Sequence, residues 1–344
     1  MSEQQPATPS PIRRESPAST SRLSPRRLWE RLVFVAYLGL MKGVGLMPPR
    51  PVEAIFSTLA PLAYLLWPAK RRIADGNAAV VLGVADPDGR PLPGSAAQVR
   101  ARSLAVYRSY GRYTAELLRL PSRSLADIAA EVDLEVTGLL DEYRARKQPA
   151  IFVGFHAGNN ELGAAALAER RYDVNVVGDD SAFPEMYELL RRLRASWGIT
   201  MIDWRAIREV FGVMRRGGIL VLLSDWGWKP DGTPCRLFGR WTTLPSGPAV
   251  IAARGNAPIV PFFVRRERPG AFRIIFGEPV DAGNGSPAAQ LAATQATASE
   301  MERLMRSDPT QWNCFKPLWP NAVEQARLAT RADEMATQTE RGAA

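Results

Sequence analysis

The chain's one histidine, His156, is followed at the fifth position by a carboxylate, Glu161. An imidazole with a carboxylate partner is the base-and-orienter half of a catalytic triad. The acid accepts a hydrogen bond from one ring nitrogen and leaves the other as the base. The segment reads Ile151-Phe-Val-Gly-Phe-His156-Ala-Gly-Asn-Asn-Glu161-Leu-Gly. It predicts a buried strand ending at His156 and a turn through Ala157 and Gly158, where small residues let backbone and substrate approach. A helix then follows, capped by Asn159 or Asn160. Glu161 falls in its first turn and is expected to fold back onto the imidazole, while the N–H groups of that turn offer free donors. No G-x-S-x-G segment exists, and no cysteine adjoins His156 in sequence. Such a pair can take the proton of an incoming alcohol, whose oxygen then attacks an activated acyl group directly. General-base help is worth about 10²–10⁴-fold; positioning and oxyanion stabilisation must supply the rest. Three other readings stand beside this one: a core histidine satisfied by the backbone, a lipid hydrolase using Ser246 as nucleophile, and a non-enzymatic basic protein that binds membranes or nucleic acid.

The elements around this segment alternate between strand and helix patterns, which indicates an α/β class. Apolar runs at 150–155, 174–178, 199–203, 219–224, 258–264 and 272–276 read as strands, with a short one at 134–136. Helical periodicity marks 98–120, 138–146, 160–170, 184–197, 205–216, 247–254 and 288–306. A long Gly/Pro loop is expected after residue 224, and a terminal helix or a disordered tail after Pro320. The polar ends of the strands are where an open α/β sheet places its site.

The first 27 residues, rich in Pro, Ser and Arg, are expected to be a disordered tail without the apolar core of a secretory signal. The composition then shifts. Apolar stretches at 28–47 and 52–68 flank Pro48, Pro49 and Pro51, and a basic run, Lys70-Arg71-Arg72, follows. Lys42, Glu53 and Pro61 interrupt any transmembrane span. Trp29, Trp67 and the flanking cations suit interfacial membrane helices; two buried core helices are the alternative. The organisation expected is a tail (1–27), a membrane-associating helical segment (28–72), an α/β domain (73–320) and a C-terminal tail (321–344). A net charge of +9 favours anionic partners. Two cysteines far apart and one histidine argue against a zinc site and against a disulfide framework.

The motifs resemble a known family. His156-x4-Glu161 after a strand is similar to the H-x4-D/E motif of glycerolipid acyltransferases. Its context is similar to the H-x-G-N-W-[DE] form of the lipid A biosynthesis acyltransferases, a branch that includes lauroyl and myristoyl transferases and phosphatidylinositol mannoside acyltransferases. The resemblance continues in order through Arg216-Gly-Gly-Ile-Leu-Val-Leu-Leu-Ser-Asp225, Arg236-Leu-Phe-Gly239, Leu244-Pro-Ser-Gly-Pro-Ala249, Ala257-Pro-Ile-Val-Pro261 with Arg265, and Asp308-Pro-Thr-Gln-Trp312. Two positions depart from the pattern: Asn160 replaces the motif tryptophan and Gly227 the second acid of D-x-D. The resemblance implies a glycerolipid-acyltransferase-like mixed sheet flanked by helices, working at the cytoplasmic face of a membrane. It implies transfer of a fatty acyl chain from acyl-CoA or acyl-carrier protein to a lipid or glycolipid hydroxyl, with no further cofactor, no metal and no nucleic acid. The acceptor is expected to be phosphatidylinositol mannoside-like, with a lipid A-type acceptor as the alternative. His156 and Glu161 would be catalytic. Asn159, Asn160, Arg205 and Asp225 would shape the substrate pocket, Phe238 and Gly239 a tight loop near the acyl channel, and Arg265 a phosphate contact. Caps or solvated charges at Asp225, Arg205 and Arg265 are the plain alternatives.

Overall fold

The computed structural model describes residues 25–134, 137–178 and 184–338. The expected N-terminal tail up to residue 24 and the last residues from 339 lie outside the described residues. The chain forms two compact units, Met1–Gly39 and Leu40–Ala344. The described part of the first is helical, the beginning of α1 (Pro25–Leu46), and its Trp29, Leu32, Val33 and Val35 are exposed.

Among the described residues the second unit holds nine strands: β1 (Val132–Leu134), β2 (Ala150–Gly154), β3 (Val174–Gly178), β4 (Thr200–Asp203), β5 (Ile219–Leu223), β6 (Thr233–Leu237), β7 (Arg240–Leu244), β8 (Ile259–Arg268) and β9 (Ala271–Phe276). Seven form a mixed sheet in the order β1-β9-β8-β2-β5-β3-β4. The strands from β8 to β4 are mutually parallel; β9 runs against β8 in a hairpin, and β1 lies parallel to β9. β6 and β7 form a separate hairpin where sequence patterning leads one to expect only loop.

The helices are α2 (Pro49–Leu66), α3 (Pro68–Val81), α4 (Ala96–Arg119), α5 (Leu125–Ala130), α6 (Thr137–Ala145), α7 (Asn160–Glu169), α8 (Pro184–Ser196), α9 (Ile207–Arg216), α10 (Gly247–Gly255), α11 (Pro287–Arg306) and α12 (Ala322–Thr337). They cover the sheet on both faces, so its central strands are apolar throughout rather than alternating. In β2 every residue is buried. Phe152 joins a core with Ile128, Leu140, Leu162 and Ala166 from α5, α6 and α7. Ile151 and Val153 point the other way, into a core with Val213, Leu220, Ala252 and Ala293. The period of two along β2 therefore feeds two cores.

α2 and α4 approach closely. A Cβ added to Gly111 of α4 would lie 2.4 Å from the Phe56 carbonyl oxygen of α2. Val52 and Tyr64 face inward, and the Tyr64 hydroxyl donates to Asp75 of α3 at 3.1 Å, while Ser103 donates to the same carboxylate at 2.6 Å. The opposite face of α2 exposes Ile55, Leu59, Leu62, Leu65 and Leu66. Among the described residues no single helix is long and apolar enough to cross a membrane. α2 and α3 together pass that test, but they are bent by 104°.

Candidate active site

Strand register brings the chemistry together. β2 and β5 are parallel neighbours with Gly154 opposite Leu223. Two residues beyond each strand stand His156 and Asp225, at the carboxyl edge of the sheet where α/β folds keep their sites. His156 Nδ1 lies 2.6 Å from Asp225 Oδ1. The His156 backbone N–H donates to both carboxylate oxygens, at 3.0 and 2.9 Å, and Trp312 Nε1 donates to Oδ2 at 2.7 Å. The Asp225 side chain has no exposure, whereas the imidazole is 34% exposed. A carboxylate that accepts so many donors is held in place. It makes Nδ1 the protonated nitrogen and leaves the Nε2 lone pair as the free one.

The expectation that Glu161 orients the imidazole is corrected by this geometry. Glu161 is largely buried in the first turn of α7, and Arg194 of α8 grips it with both guanidinium arms, one at 2.9 Å from Nε to Oε2. The Glu161 side chain is thereby committed to α8 and not to the strand end. Burial depresses the Arg194 guanidinium, but the Glu161 charge and hydrogen bond outweigh this and keep it firmly protonated.

The N–H groups of the turn before α7 are all occupied. The N–H of Ala157 donates to the Phe155 carbonyl (2.7 Å), that of Gly158 to Gln311 (3.0 Å) and that of Asn159 to Val264 (3.1 Å). Gly158 has φ +59°, and a Cβ there would stand 1.7 Å from the Val264 oxygen, so glycine is required. The turn is clamped between β8 and the segment 311–313, which also pairs through Asn313 N–H to the His156 carbonyl (2.8 Å).

His156 opens onto a pocket of about 310 Å³. Tyr110, Tyr113, Phe315 and Trp226 supply apolar wall; Asn160, Asn313, Lys70 and Lys316 supply polar wall. The His156 and Trp226 rings are 5.3 Å apart. Burial of the imidazole pulls its pKa down. The Asp225 charge and hydrogen bond push it up and prevail, with Lys316 opposing, so the net value lies above the ordinary one. Cys314 is the one thiol in the wall. Burial first, then the Asp225 charge, raises its pKa far above that of a free thiol, which leaves it protonated. Among the described residues no serine lines the pocket, Ser246 included. No group of three or more His, Cys, Asp or Glu side chains is arranged for a metal ion among the described residues.

The remaining sequence candidates divide. Asn160 lines the pocket and donates to the Phe155 carbonyl at 3.0 Å. Asn159 is fully buried: it caps α7 by accepting from Leu162 N–H and donates to Glu116 at 2.8 Å. Glu116 in turn holds Arg266 in a bidentate pair at 2.6 and 2.7 Å. Asn159 thus locks the turn from behind and is not placed to touch a pocket ligand. Arg265 pairs with Glu267 on the outer edge of β8 at 2.6 Å, and Arg205 stacks on the exposed Trp204 and approaches Asp203 at 3.5 Å. Neither lines the pocket. Phe238 and Gly239 are the turn of the β6–β7 hairpin, both with positive φ (50° and 74°). Phe238 stacks on Trp312 at 5.8 Å, and Phe155 stacks on that same indole at 5.1 Å. Phe238 therefore supports the tryptophan that holds Asp225. Sequence reasoning missed the contributions of Arg194, Lys70 and Lys316, and it listed Trp312 only as part of a motif. The parallel pairing of β2 with β5 was the signal that joins His156 to Asp225.

The family model described as bacterial lipid A biosynthesis acyltransferase matches residues 19–321. The chain is 27% identical over 233 residues to the phosphatidylinositol mannoside acyltransferase of Mycobacterium tuberculosis (strain H37Rv), spanning 65% of this chain and 72% of that protein. It is 23% identical over 231 residues to the protein of the same name from Mycolicibacterium smegmatis, spanning 65% and 74%.

Proposed function

We propose that this chain, which belongs to the bacterial lipid A biosynthesis acyltransferase family and is an acyltransferase, moves a fatty acyl chain from an acyl thioester to a hydroxyl of a glycolipid, with His156 as the base. The observation that carries the mechanism is the 2.6 Å contact between His156 Nδ1 and Asp225. It leaves Nε2 as the proton acceptor facing the pocket. The acceptor hydroxyl gives its proton to Nε2 as its oxygen attacks the thioester carbonyl. Collapse of the tetrahedral intermediate breaks the C–S bond, and the imidazolium returns the proton to the departing sulfur. Asp225 stabilises the imidazolium without itself taking the proton. No covalent acyl-enzyme is needed: among the described residues the pocket wall holds no serine, and its thiol is kept protonated. That wall disfavours the hydrolase reading.

The acceptor is a phosphatidylinositol mannoside-like lipid, the reading favoured by the names of the relatives; a lipid A-type acceptor is the alternative. The donor is acyl-CoA or acyl-carrier protein, and no further cofactor takes part. The protein works at the cytoplasmic face of the membrane, with the exposed Leu59, Leu62 and Leu66 row of α2 entering the lipid interface. Lipid mass spectrometry of cells with and without the gene tests the acceptor: the species that loses one acyl chain names it. Purified His156→Ala protein should lose transfer by at least about 10³-fold while keeping its melting temperature. Undiminished transfer would remove His156 from the mechanism.

A further inference from the structure

Two lysines from separate segments bring positive charge to the His156 pocket. Lys70 comes from the first turn of α3 and Lys316 from the segment after Trp312. Lys70 and Lys316 line the cavity itself. Burial depresses the Lys316 ammonium, and the nearby charges of Lys70 and Lys229 depress it further. Among the described residues no carboxylate pairs with either Lys70 or Lys316. Asp225, the carboxylate of the pocket, is already held by His156 and Trp312.

The cluster is also held in position. Asn77 of α3 donates to the carbonyls of Cys314 (3.2 Å) and Lys316 (2.9 Å), and Lys70 Nζ donates to that of Phe315 (3.2 Å). The Lys316 ammonium lies 3.7 Å from the centre of the Trp226 ring. Gly227, with φ +97°, permits that approach: a Cβ there would sit 3.3 Å from Lys316 Cβ. Like charges gathered at a half-buried wall destabilise one another unless an anion joins them. The favoured occupant is compact, carries one or two negative charges and offers several acceptor oxygens, which is the chemistry of a phosphate group.

We propose that Lys70 and Lys316 form a phosphate subsite that seats a phosphate ester of one substrate beside His156. This rests on the reading of His156 as the base and names what is held next to it. The phosphate has two possible sources, the headgroup phosphodiester of the lipid acceptor and the phosphate esters of the thioester donor.

The single histidine makes the test direct. Full-length protein without a histidine tag gives one imidazole signal, whose titration is followed by NMR with and without inorganic phosphate. In the parent protein, bound phosphate should raise the His156 pKa, because a nearby anion favours the imidazolium. Lys316→Gln and Lys70→Gln should each weaken phosphate binding about tenfold with an unchanged melting curve. Without phosphate, Lys316→Gln should itself raise the His156 pKa, since the Lys316 charge holds it down. Kinetics distinguish the sources: in Lys316→Gln the KM for the donor rises about tenfold if the donor phosphate is bound, and the KM for the acceptor does so if the headgroup is bound. Equal phosphate binding by parent and variants, or unchanged KM values for both substrates, overturns the proposal. Failure of the base reading would look different: His156→Ala would keep transferring acyl chains while its phosphate binding, measured by calorimetry, stayed lysine-dependent.

Discussion

A hydrogen-bonded carboxylate sets the properties of His156, so the sharpest residue-scale prediction concerns Asp225. Asp225→Asn keeps the shape but removes the charge that holds the Nδ1–H tautomer. Transfer should fall by about 10³–10⁴-fold. The His156 pKa should fall too, because Asp225 is what lifts it against burial. The base must be unprotonated to act, so the rising limb of kcat/KM lies above the pH of a free imidazole, and any residual activity of Asp225→Asn should have its limb moved to lower pH. The linkage sign is definite: with a raised folded-state pKa, His156 contributes stability in full below the pKa of the unfolded imidazole, and that contribution is lost as pH rises through the folded value. Glu161 should behave otherwise. Its carboxylate is paired with Arg194, and both side chains are nearly buried, at 11% and 12% exposure. Glu161→Gln should cost about 3 kcal/mol in a chemical-denaturation measurement and leave the His156 titration in place; a pKa drop as large as that of Asp225→Asn would make Glu161 the orienter after all. Sequence spacing could not separate these two acids. H-x4-E is a local pattern and visible at once, whereas His156 meets Asp225 only through the register of β2 with β5, which depends on which strands pair and not on their own residues. Both carboxylates were legible as candidates, but their partners were not.

Elements, unlike partners, were largely readable, because each carries its own periodicity. β2, β3, β5 and β9, with α7 through α11, fall within a residue or two of their apolar runs and caps. β1 lies at Val132–Leu134, earlier than the expected 134–136, of which 135 and 136 lie outside the described residues. The β6–β7 hairpin escaped notice for a physical reason. Pro230, Gly232 and Pro234 read as loop, and a tight two-residue turn is normally announced by Asn-Gly or Asp-Gly. Here Leu237 pairs with Arg240 around Phe238-Gly239, and a phenylalanine occupies the left-handed position. That conformation is costly for a bulky residue, and ring packing offsets it: Phe238 is 8% exposed, stacks on Trp312 and meets Trp319 edge-on at 6.3 Å. α3 was missed because its first turn is basic, which reads as a charged edge rather than the start of a helix. Phe238→Ala should therefore lower unfolding free energy by about 3 kcal/mol. It should also lower kcat more than it raises KM, because Trp312 loses the ring that steadies its bond to Asp225. A variant with normal kcat and reduced stability would show that Phe238 serves the fold alone.

At the scale of the whole molecule, the proposed membrane contact is open to test. The net charge of +9 draws the chain toward anionic surfaces, but that attraction is screened at physiological salt over about 8 Å and cannot hold it at depth. The proposed lipid contact is the exposed face of α2. Ile55, Leu59, Leu62 and Leu66 recur at helical spacing, and Trp67 with Lys70 and Arg71 follows at the end of the row. This face is no detachable anchor: the other side of α2 buries Val52 and Tyr64 and rests on Gly111 of α4. Deleting residues 28–68 would open the core along with any membrane contact, and loss of sedimentation would then be ambiguous. Point charges avoid this. Leu59 and Leu62 are 54% and 47% exposed, so Leu59→Glu with Leu62→Glu should shift the melting free energy by no more than about 1 kcal/mol. Each leucine that enters lipid contributes about 1.5–3 kcal/mol, so the double variant should bind anionic vesicles at least about tenfold more weakly, in a part of the binding that salt does not remove. Co-sedimentation at low and high salt measures both components. If the variant binds as tightly as the parent at high salt, the lipid-facing surface lies elsewhere on the molecule.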